Sequence, residues 1–384
     1  MKKTPKLRFK EFSGDWSKYR LDNYVEYISS GRTKDKMEEG TYKVYGSTGI
    51  IGYTENPDYE GEHLLIARVG ANAGAVNLTN EKCGISDNTL AISYKKELYY
   101  KFSYYQLKNY NLNRLIFGSG QPLITGGQLK ELQLHFPERL EQEKIASFFS
   151  LIEDKISLQL EKVESLKDYK KGIYQKIFSQ ELRFKDDEGK DYPKWNGKKL
   201  IKLTEKITTK NKDFTITNVI SNSAKNGLIS QRDFFDKDIA NQSNIDGYYV
   251  IEPGDFVYNP RKSSESPYGP INRYELQDAG VVSPLYLCFR VNNEEINGKF
   301  LAYYFKSSVW HRFIYQNSDQ GVRHDRVSIK DAEFFNMDIG VPDIDEQNKI
   351  VKFLDNLECK LSKEQDKLDY LTEYKKGLLQ QMFV

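Results

Sequence analysis

The sequence predicts an α+β chain in which two α/β modules alternate with two long helices that pair as an antiparallel coiled coil, giving a pseudo-twofold molecule. Three observations lead there. Residues 137–179 and 342–384 align without a gap over 43 positions at a constant offset of 205, and 17 of those positions are identical. Within both segments apolar side chains recur at steps of three and four, the period of a helix with one buried stripe. Ahead of them the matches weaken but keep their order. Offsets climb from 175 at LRFK (7–10 and 182–185) through 179 at Trp16 and Trp195 to 193 at GEHLLIAR (61–68) and GDFVYNPR (254–261). A steady climb is what two copies of one domain show when surface loops of the second have gained residues. The expected divisions are a first module at 1–140, a helix at 141–181, a second module at 182–345 and a second helix at 346–384.

The first helix carries Ile145, Phe148 or Phe149, Ile152, Ile156, Leu160, Val163, Leu166, Tyr169, Ile173 and Ile177 on one stripe. The second carries Ile350, Phe353 or Leu354, Leu357, Leu361, Leu368, Leu371, Tyr374, Leu378 and Met382. The residues expected to make the pairing are Ile145, Ile152, Ile156, Val163, Leu166 and Ile173 with Ile350, Leu357, Leu361, Leu368, Leu371 and Leu378. Each helix follows a proline, Pro137 or Pro342, and opens with acidic residues that suit a helix N-terminus. From Glu141 or Glu346 onward each holds seven acidic and seven basic side chains, so neither is expected to grip a polyanion. At ~1.5 Å per residue such a helix reaches roughly 58 Å, more than one domain's core needs, which marks it as a spacer. The chain runs IFSQELRFK at 177–185, and its QMFV end followed by its KTPKLRFK start would reproduce that junction. The two termini are therefore expected close together.

Composition excludes several classes. With 384 residues, 39% apolar and 29% charged, the chain is long enough for two or three domains and has no apolar run near the ~20 residues a bilayer span needs. The N-terminal lysines precede no apolar stretch, so no secretory signal is expected and the cytoplasm is the expected location. Cys83, Cys288 and Cys359 show no C-x-x-C spacing and read as free thiols. His63, His135, His311 and His324 stand apart with no H-E-x-x-H arrangement, so no metal site is expected. NPRK at 259–262 begins like the N-P-P-[YF] loop of amino-methyltransferases, but Arg261 stands in place of the second proline and no glycine-rich cofactor fingerprint follows a strand nearby. Pro342, Asp343, Glu358 and Lys360 assemble a P-D…E-x-K match whose last two members lie in the second helix, and Glu138 replaces Asp343 in the first copy. No G-x-x-x-x-G-K-[ST] loop is present. A net charge of +2 leaves nucleic-acid binding to local basic groups.

The modules read as strand-rich. HLLIARV (63–69), TLAISY (89–94), DFVYN (255–259) and LYLCFRV (285–291) look like strands bounded by Gly, Asn and Asp turns. LYYKFSYYQLKN (98–109) and GKFLAYYFKSS (298–308) have helical spacing and occupy equivalent places. Two late loops, 117–125 and 317–328, also correspond.

YGSTGIIGY (45–53), IARVGANAG (66–74), GSGQP (118–122), EQEKIASFF (141–149), NPRKSS (259–264) and SPLYLCFRV (283–291) resemble the specificity subunits of type I restriction–modification systems, and the alternation of variable modules with repeated helices does so over essentially the whole chain. The resemblance implies a non-catalytic subunit with two target-recognition domains, each reading one half of a bipartite, asymmetric sequence in double-stranded DNA. It implies docking of two methyltransferase subunits and, in the full complex, of restriction subunits. No cofactor is then expected on this chain; S-adenosylmethionine, ATP and magnesium belong to the partners. The alternatives are a stand-alone DNA-modifying enzyme and a protein-only coiled-coil scaffold.

Residue chemistry nominates the contacts. Arg68 and Arg261 are expected at matching strand ends, arginine being the side chain best suited to a two-pronged grip on guanine or phosphate. Gln121 in the first late loop, and Gln320, Arg323, His324 and Arg326 in the second, suit base edges. Arg32, Lys34, Asn72, Lys262, Ser263 and Ser264 suit bases or phosphates.

Overall fold

The structure, a computed structural model, describes residues 4–116, 122–231, 245–319 and 325–384. It divides into two units, Met1–Lys162 with Glu364–Val384 and Val163–Lys363. The first contains β1 (Ser17–Arg20), β2 (Val25–Ser30), β3 (Tyr42–Gly46), β4 (Gly49–Thr54), β5 (His63–Ala67), β6 (Val76–Thr79), β7 (Gly84–Ile85), β8 (Thr89–Tyr94), α1 (Tyr100–Tyr110), α2 (Gly126–Lys130), β9 (Gln133–Phe136) and the start of α3 (Arg139–Phe178). Its main sheet is antiparallel in the order β2-β8-β5-β6, beside a β4-β3-β7 sheet and a β1-β9 ribbon. β5 is buried at every position because both faces of the sheet are covered. Leu64 and Ile66 pack with Ile92 and Phe102 on one face, while Leu65 meets Ala91, Cys83 and Ile85 on the other, the period of two that a strand imposes.

The second unit contains the rest of α3, β10 (Asn196–Lys199), α4 (Leu200–Leu203), β11 (Thr204–Lys206), β12 (Ile220–Ser223), β13 (Gly227–Ser230), β14 (Tyr249–Ile251), β15 (Phe256–Tyr258), β16 (Ile271–Arg273), β17 (Gly280–Val282), β18 (Leu287–Val291), α5 (Gly298–Lys306), α6 (His311–Asn317), α7 (Asp331–Phe335), β19 (Asp338–Val341) and the start of α8 (Ile344–Met382). The order β11-β18-β15-β16 repeats the main sheet of the first unit, and β10-β19 repeats its ribbon. Phe256 and Phe289 join Phe300 and Phe334 in one cluster, and Val257 and Cys288 join Ile251 and Val282 in another.

Identical residues at the start of each repeat do identical work. Glu141 accepts from Arg8 Nε (2.8 Å), Arg8 Nη2 (2.7 Å) and Trp16 Nε1 (3.4 Å). Glu346 accepts from Arg183 Nε (3.0 Å), Arg183 Nη2 (2.6 Å) and Trp195 Nε1 (3.1 Å). The next residue in each copy caps the loop before the domain's helix: Gln142 accepts from the Tyr99 amide and Gln347 from the Asn297 amide, both at 2.8 Å. Each also donates to the carbonyl of its own proline, Pro137 or Pro342, at 3.0 Å.

The termini meet as expected. The Leu7 amide donates to the Gln381 carbonyl (2.9 Å), which duplicates, between chain ends, the Leu182 to Lys176 bond (3.0 Å) made within the continuous chain. Phe383 then fills the first unit's core, its ring 5.3 Å from Phe102 and 6.0 Å from Phe149.

Within each unit α3 and α8 run antiparallel. In the first, Lys375 binds Glu153, and Gln159 Nε2 donates to the Glu364 carboxylate (2.8 Å) and carbonyl (2.9 Å). In the second, the Tyr174 hydroxyl (2.7 Å) and Lys170 Nζ (3.0 Å) donate to Glu358. Ile145, Val163, Ile173, Ile350, Leu357, Leu371 and Leu378 are buried, and Ile152, Ile156, Leu166, Leu361 and Leu368 are half-buried. Several serve a domain core as well: Ile145 and Leu378 lie in the first unit's cluster, Ile173, Ile350 and Leu357 in the second's. The expected stripe needs correction at three places, because Leu160, Tyr169 and Tyr374 are 47%, 53% and 47% exposed. Gln159, Lys170 and Lys375 turn inward instead, which completes strict steps of four and three. A paired helix keeps its seam on a 3.5-residue period whatever the residue type. Gln159 faces its own repeat counterpart, Glu364, where two glutamates would repel.

Burial alone would raise the Glu358 carboxyl, but Lys306, the Tyr174 hydroxyl and Lys170 outweigh it and hold it at about 2, below its ordinary 4.5. A depressed carboxyl adds stability above its unfolded value and loses it as pH falls toward the folded one. In urea titrations the advantage of wild type over Glu358→Gln should be full at neutral pH and shrink as pH falls from about 4.5 toward 2. A gap that does not change with pH would rule out this carboxylate as the source.

Candidate nucleic-acid interface

In the first unit the candidate side chains gather where β5 and β2 end. Gly31 lets the chain after β2 press on the main chain ahead of β8; a Cβ there would lie 2.2 Å from the Ser86 carbonyl oxygen. Thr33 pins the same loop, its amide donating to the Ile85 carbonyl (2.9 Å) and its hydroxyl accepting from the Ile85 amide (2.9 Å). Arg32 and Lys34, on either side of it, are exposed and form no ion pair among the described residues; the Arg32 guanidinium sits 5.4 Å from the Tyr59 ring. Arg68 is half-buried. Its Nη1 donates to Ser30 Oγ (2.6 Å), and its buried Nε has no partner among the described residues. Asn72 is exposed on the rim of a recess of about 400 Å³ that Gly74, Lys108, Asn111 and Asn113 also line. Gln121 lies outside the described residues.

In the second unit Arg261, Lys262, Ser263 and Ser264 are exposed. The Arg261 amide donates to Asn259 Oδ1 (3.0 Å), and Asn259 Nδ2 donates to the Asn222 carbonyl (3.0 Å), so this asparagine is consumed in shaping its loop. Ser263 and Ser266 close a turn through reciprocal backbone bonds of 3.0 and 3.3 Å. Arg261 pairs across an antiparallel bridge with Arg326, and the two flank a recess of about 130 Å³ with Asn259, Ser283 and Tyr286. Burial pushes the Tyr286 hydroxyl up, against the nearby Arg326 and Arg261 guanidiniums. Gln320, Arg323 and His324 lie outside the described residues.

The strand register corrects one expectation. Ile66 faces Leu90 as Tyr258 faces Leu287, and Leu64 faces Ile92 as Phe256 faces Phe289. Arg68 therefore corresponds to Pro260, and Arg261 to Val69. Aligning the arginines placed β15 one residue out of step, and one residue in a strand exchanges the two faces. Hence Arg68 is tethered inward to Ser30 while Arg261 is free at the surface. Ser30, Leu123 and Tyr286 have no signal in the sequence, since an isolated serine, leucine or tyrosine carries no motif. Asn259 did have a signal, standing before proline in a turn-forming pair.

Among the described residues no group of three His, Cys, Asp or Glu side chains is placed to hold a metal. His63 is occupied by the Tyr27 hydroxyl (2.7 Å) and the Gly61 carbonyl (3.1 Å). No helix among them is long and apolar enough to cross a membrane. Cys83 and Cys288 are buried free thiols, and Cys359 is an exposed one.

The chain is 31% identical over 123 residues to the type I restriction enzyme EcoprrI specificity subunit of Escherichia coli, covering 32% of this chain and 31% of that one, so it matches about a third of that relative's length. It is 24% identical over 388 residues to the MjaVIII specificity subunit of Methanocaldococcus jannaschii, covering 91% and 89%. Its fold is similar to the crystal structure of the type I restriction–modification S subunit from M. genitalium, with a TM-score of 0.61 at 17% identity over 99% of both chains. The family model for the type I restriction modification DNA specificity domain matches twice, at residues 13–168 and 175–373, and with one copy of that domain in each repeat the chain belongs to this family.

Proposed function

We propose that the chain is the DNA-reading, non-catalytic subunit of a type I restriction–modification complex in the cytoplasm, each unit reading one half of a bipartite, asymmetric target in double-stranded DNA. One observation carries this reading: the units repeat the same sheet order and the same buried Glu–Arg–Trp clamp, yet differ in the side chains at their strand-end loops. A shared scaffold with divergent loops is what two readers of unlike sequences require. The long helices set the distance between the half-sequences. Leu151, Leu158 and Tyr370, 69%, 66% and 67% exposed on those helices, offer apolar surface on which two methyltransferase subunits, and through them restriction subunits, dock.

The chemistry comes from those partners, which carry S-adenosylmethionine, ATP and magnesium. Asn259 is held by its own loop, and Glu358 is held by Tyr174 and Lys170, so neither is available as a catalytic group. The purified chain given DNA, S-adenosylmethionine, ATP and magnesium should neither methylate, hydrolyse nor cut, whereas co-expression with its methyltransferase should methylate genomic DNA at a split sequence. Turnover by the chain alone would favour the stand-alone enzyme. A complex that binds methyltransferase but no DNA would favour the scaffold.

A further inference from the structure

The corrected register exposes a position at which the two units are built differently. In the first, the Ile124 amide donates to the Arg68 carbonyl (2.8 Å) and the Gly70 amide to the Pro122 carbonyl (3.2 Å), bracketing a bridge between Val69 and Leu123. In the second, the Val327 amide donates to the Pro260 carbonyl (2.8 Å) and the Lys262 amide to the Asp325 carbonyl (2.9 Å), bracketing a bridge between Arg261 and Arg326. The backbone pattern is the same, and the pair it presents changes from two aliphatic side chains to two cations.

Neither pair is explained by folding. Leu123 is 43% exposed, an apolar side chain open to solvent just ahead of a short helix. Like charges directly opposite across a bridge repel. Among the described residues Arg261 has no carboxylate partner, and Arg326 has only Asp325, 3.9 Å from its Nε. The arginines border a recess of about 130 Å³ whose other polar lining groups among the described residues, Asn259, Ser283 and Tyr286, bring no carboxylate to the cations. A site of this kind takes an electron-rich acceptor edge. An aliphatic pair made of a half-buried Val69 and an exposed Leu123 takes a methyl group.

We propose that this cross-strand pair determines specificity: Arg261 and Arg326 take the O6 and N7 acceptor edge of a guanine in the half-site of the second unit, and Val69 and Leu123 take the methyl of a thymine in that of the first. The assignment follows from the major-groove pattern, where guanine alone offers two acceptors and thymine alone a methyl. It rests on the DNA-reading function proposed above.

The test uses the full chain co-expressed with its methyltransferase, methylation-sensitive sequencing, and binding to oligonucleotides that differ at one position. Arg261→Val with Arg326→Leu should cut discrimination for one G·C pair in a single half-site by about ten- to a hundredfold and leave the other half-site intact. Val69→Arg with Leu123→Arg should replace a T·A preference in the opposite half-site. Arg261→Lys keeps the charge but loses the two-pronged grip, so it should also relax the guanine preference. It decides the matter if the double variants do not fold. An unchanged motif in Arg261→Lys overturns the proposal. So does an equal loss on all sequences with a salt dependence shallower by about two phosphates, which would make the pair a backbone clamp. If wild type directs no methylation to any split sequence, it is the DNA-reading function that fails.

Discussion

Arg183→Ala should lower the stability of the second unit by about 3–5 kcal/mol, because it strips the partner from a fully buried carboxylate. The Glu346 side chain is 0% exposed, and with Arg183 gone it keeps, among the described residues, only the Trp195 indole N–H. Arg8→Ala should act in the same way on the first unit, where the Glu141 side chain is 2% exposed. The double variant Arg183→Met with Glu346→Leu should lose much less than the sum of its single changes, since apolar groups of similar volume leave no buried charge behind. Denaturant unfolding of wild type, the two alanine variants, the Arg183→Met and Glu346→Leu single variants and the double variant, followed by circular dichroism, measures both statements. An additive double variant, or a loss under about 1 kcal/mol in Arg183→Ala, would mean that the clamp is ornamental and that the identity of Glu141 and Glu346 has another cause.

That clamp shows why the repeat was legible before the fold was. Glu141, Gln142, Trp16 and Arg8 each bond to another member of the set or to fixed backbone, so copies of the domain cannot vary one without the others, and the residues return unchanged in sequence. Strands read well where both faces are buried, as in HLLIA and TLAIS, because uninterrupted apolar residues between turn formers leave few alternatives. The helix seam read less well. Choosing apolar residues selected Leu160 and Tyr169, while the supercoil's period selects Gln159 and Lys170, whose polar ends are satisfied by Glu364 and Glu358.

The candidate interface was legible only as loops. Arg68 and Arg261 looked alike in sequence because each follows a β-strand, but the strands differ by one residue in register, and a hydrogen-bond ladder is needed to detect that. The informative residues at this position, Val69 and Leu123, are apolar and carried no signal of contact. Their meaning comes from the comparison with Arg261 and Arg326 that the ladder makes possible.

The lengths of α3 and α8 should set the unspecified spacer between the half-sequences. Both helices belong to both units, and each unit locks them together: Glu153 to Lys375 and Gln159 to Glu364 in one, Glu358 to Lys170 and Tyr174 in the other. Four residues inserted into α3 alone, between Val163 and Leu166, lengthen one helix by ~6 Å while α8 keeps its length, so one set of locks must break. That variant should fail to assemble an active methyltransferase. Four residues inserted into both helices, the second set beside Leu361, lengthen them equally. The seam then meets a matched stutter that local unwinding absorbs, and both sets of locks survive. With both recognition units untouched, the methylated sequence should keep its two halves while the unspecified spacer grows by about one to two base pairs, at ~1.7 Å of axis per phosphate and two phosphates per pair. Two residues inserted into both should turn the seam by roughly 200° and abolish activity instead of changing the target. Methylation-sensitive sequencing of cells expressing each variant reads the outcome directly. An active variant with both helices lengthened by four residues and the wild-type spacer would mean that something other than α3 and α8 fixes the distance between the half-sequences.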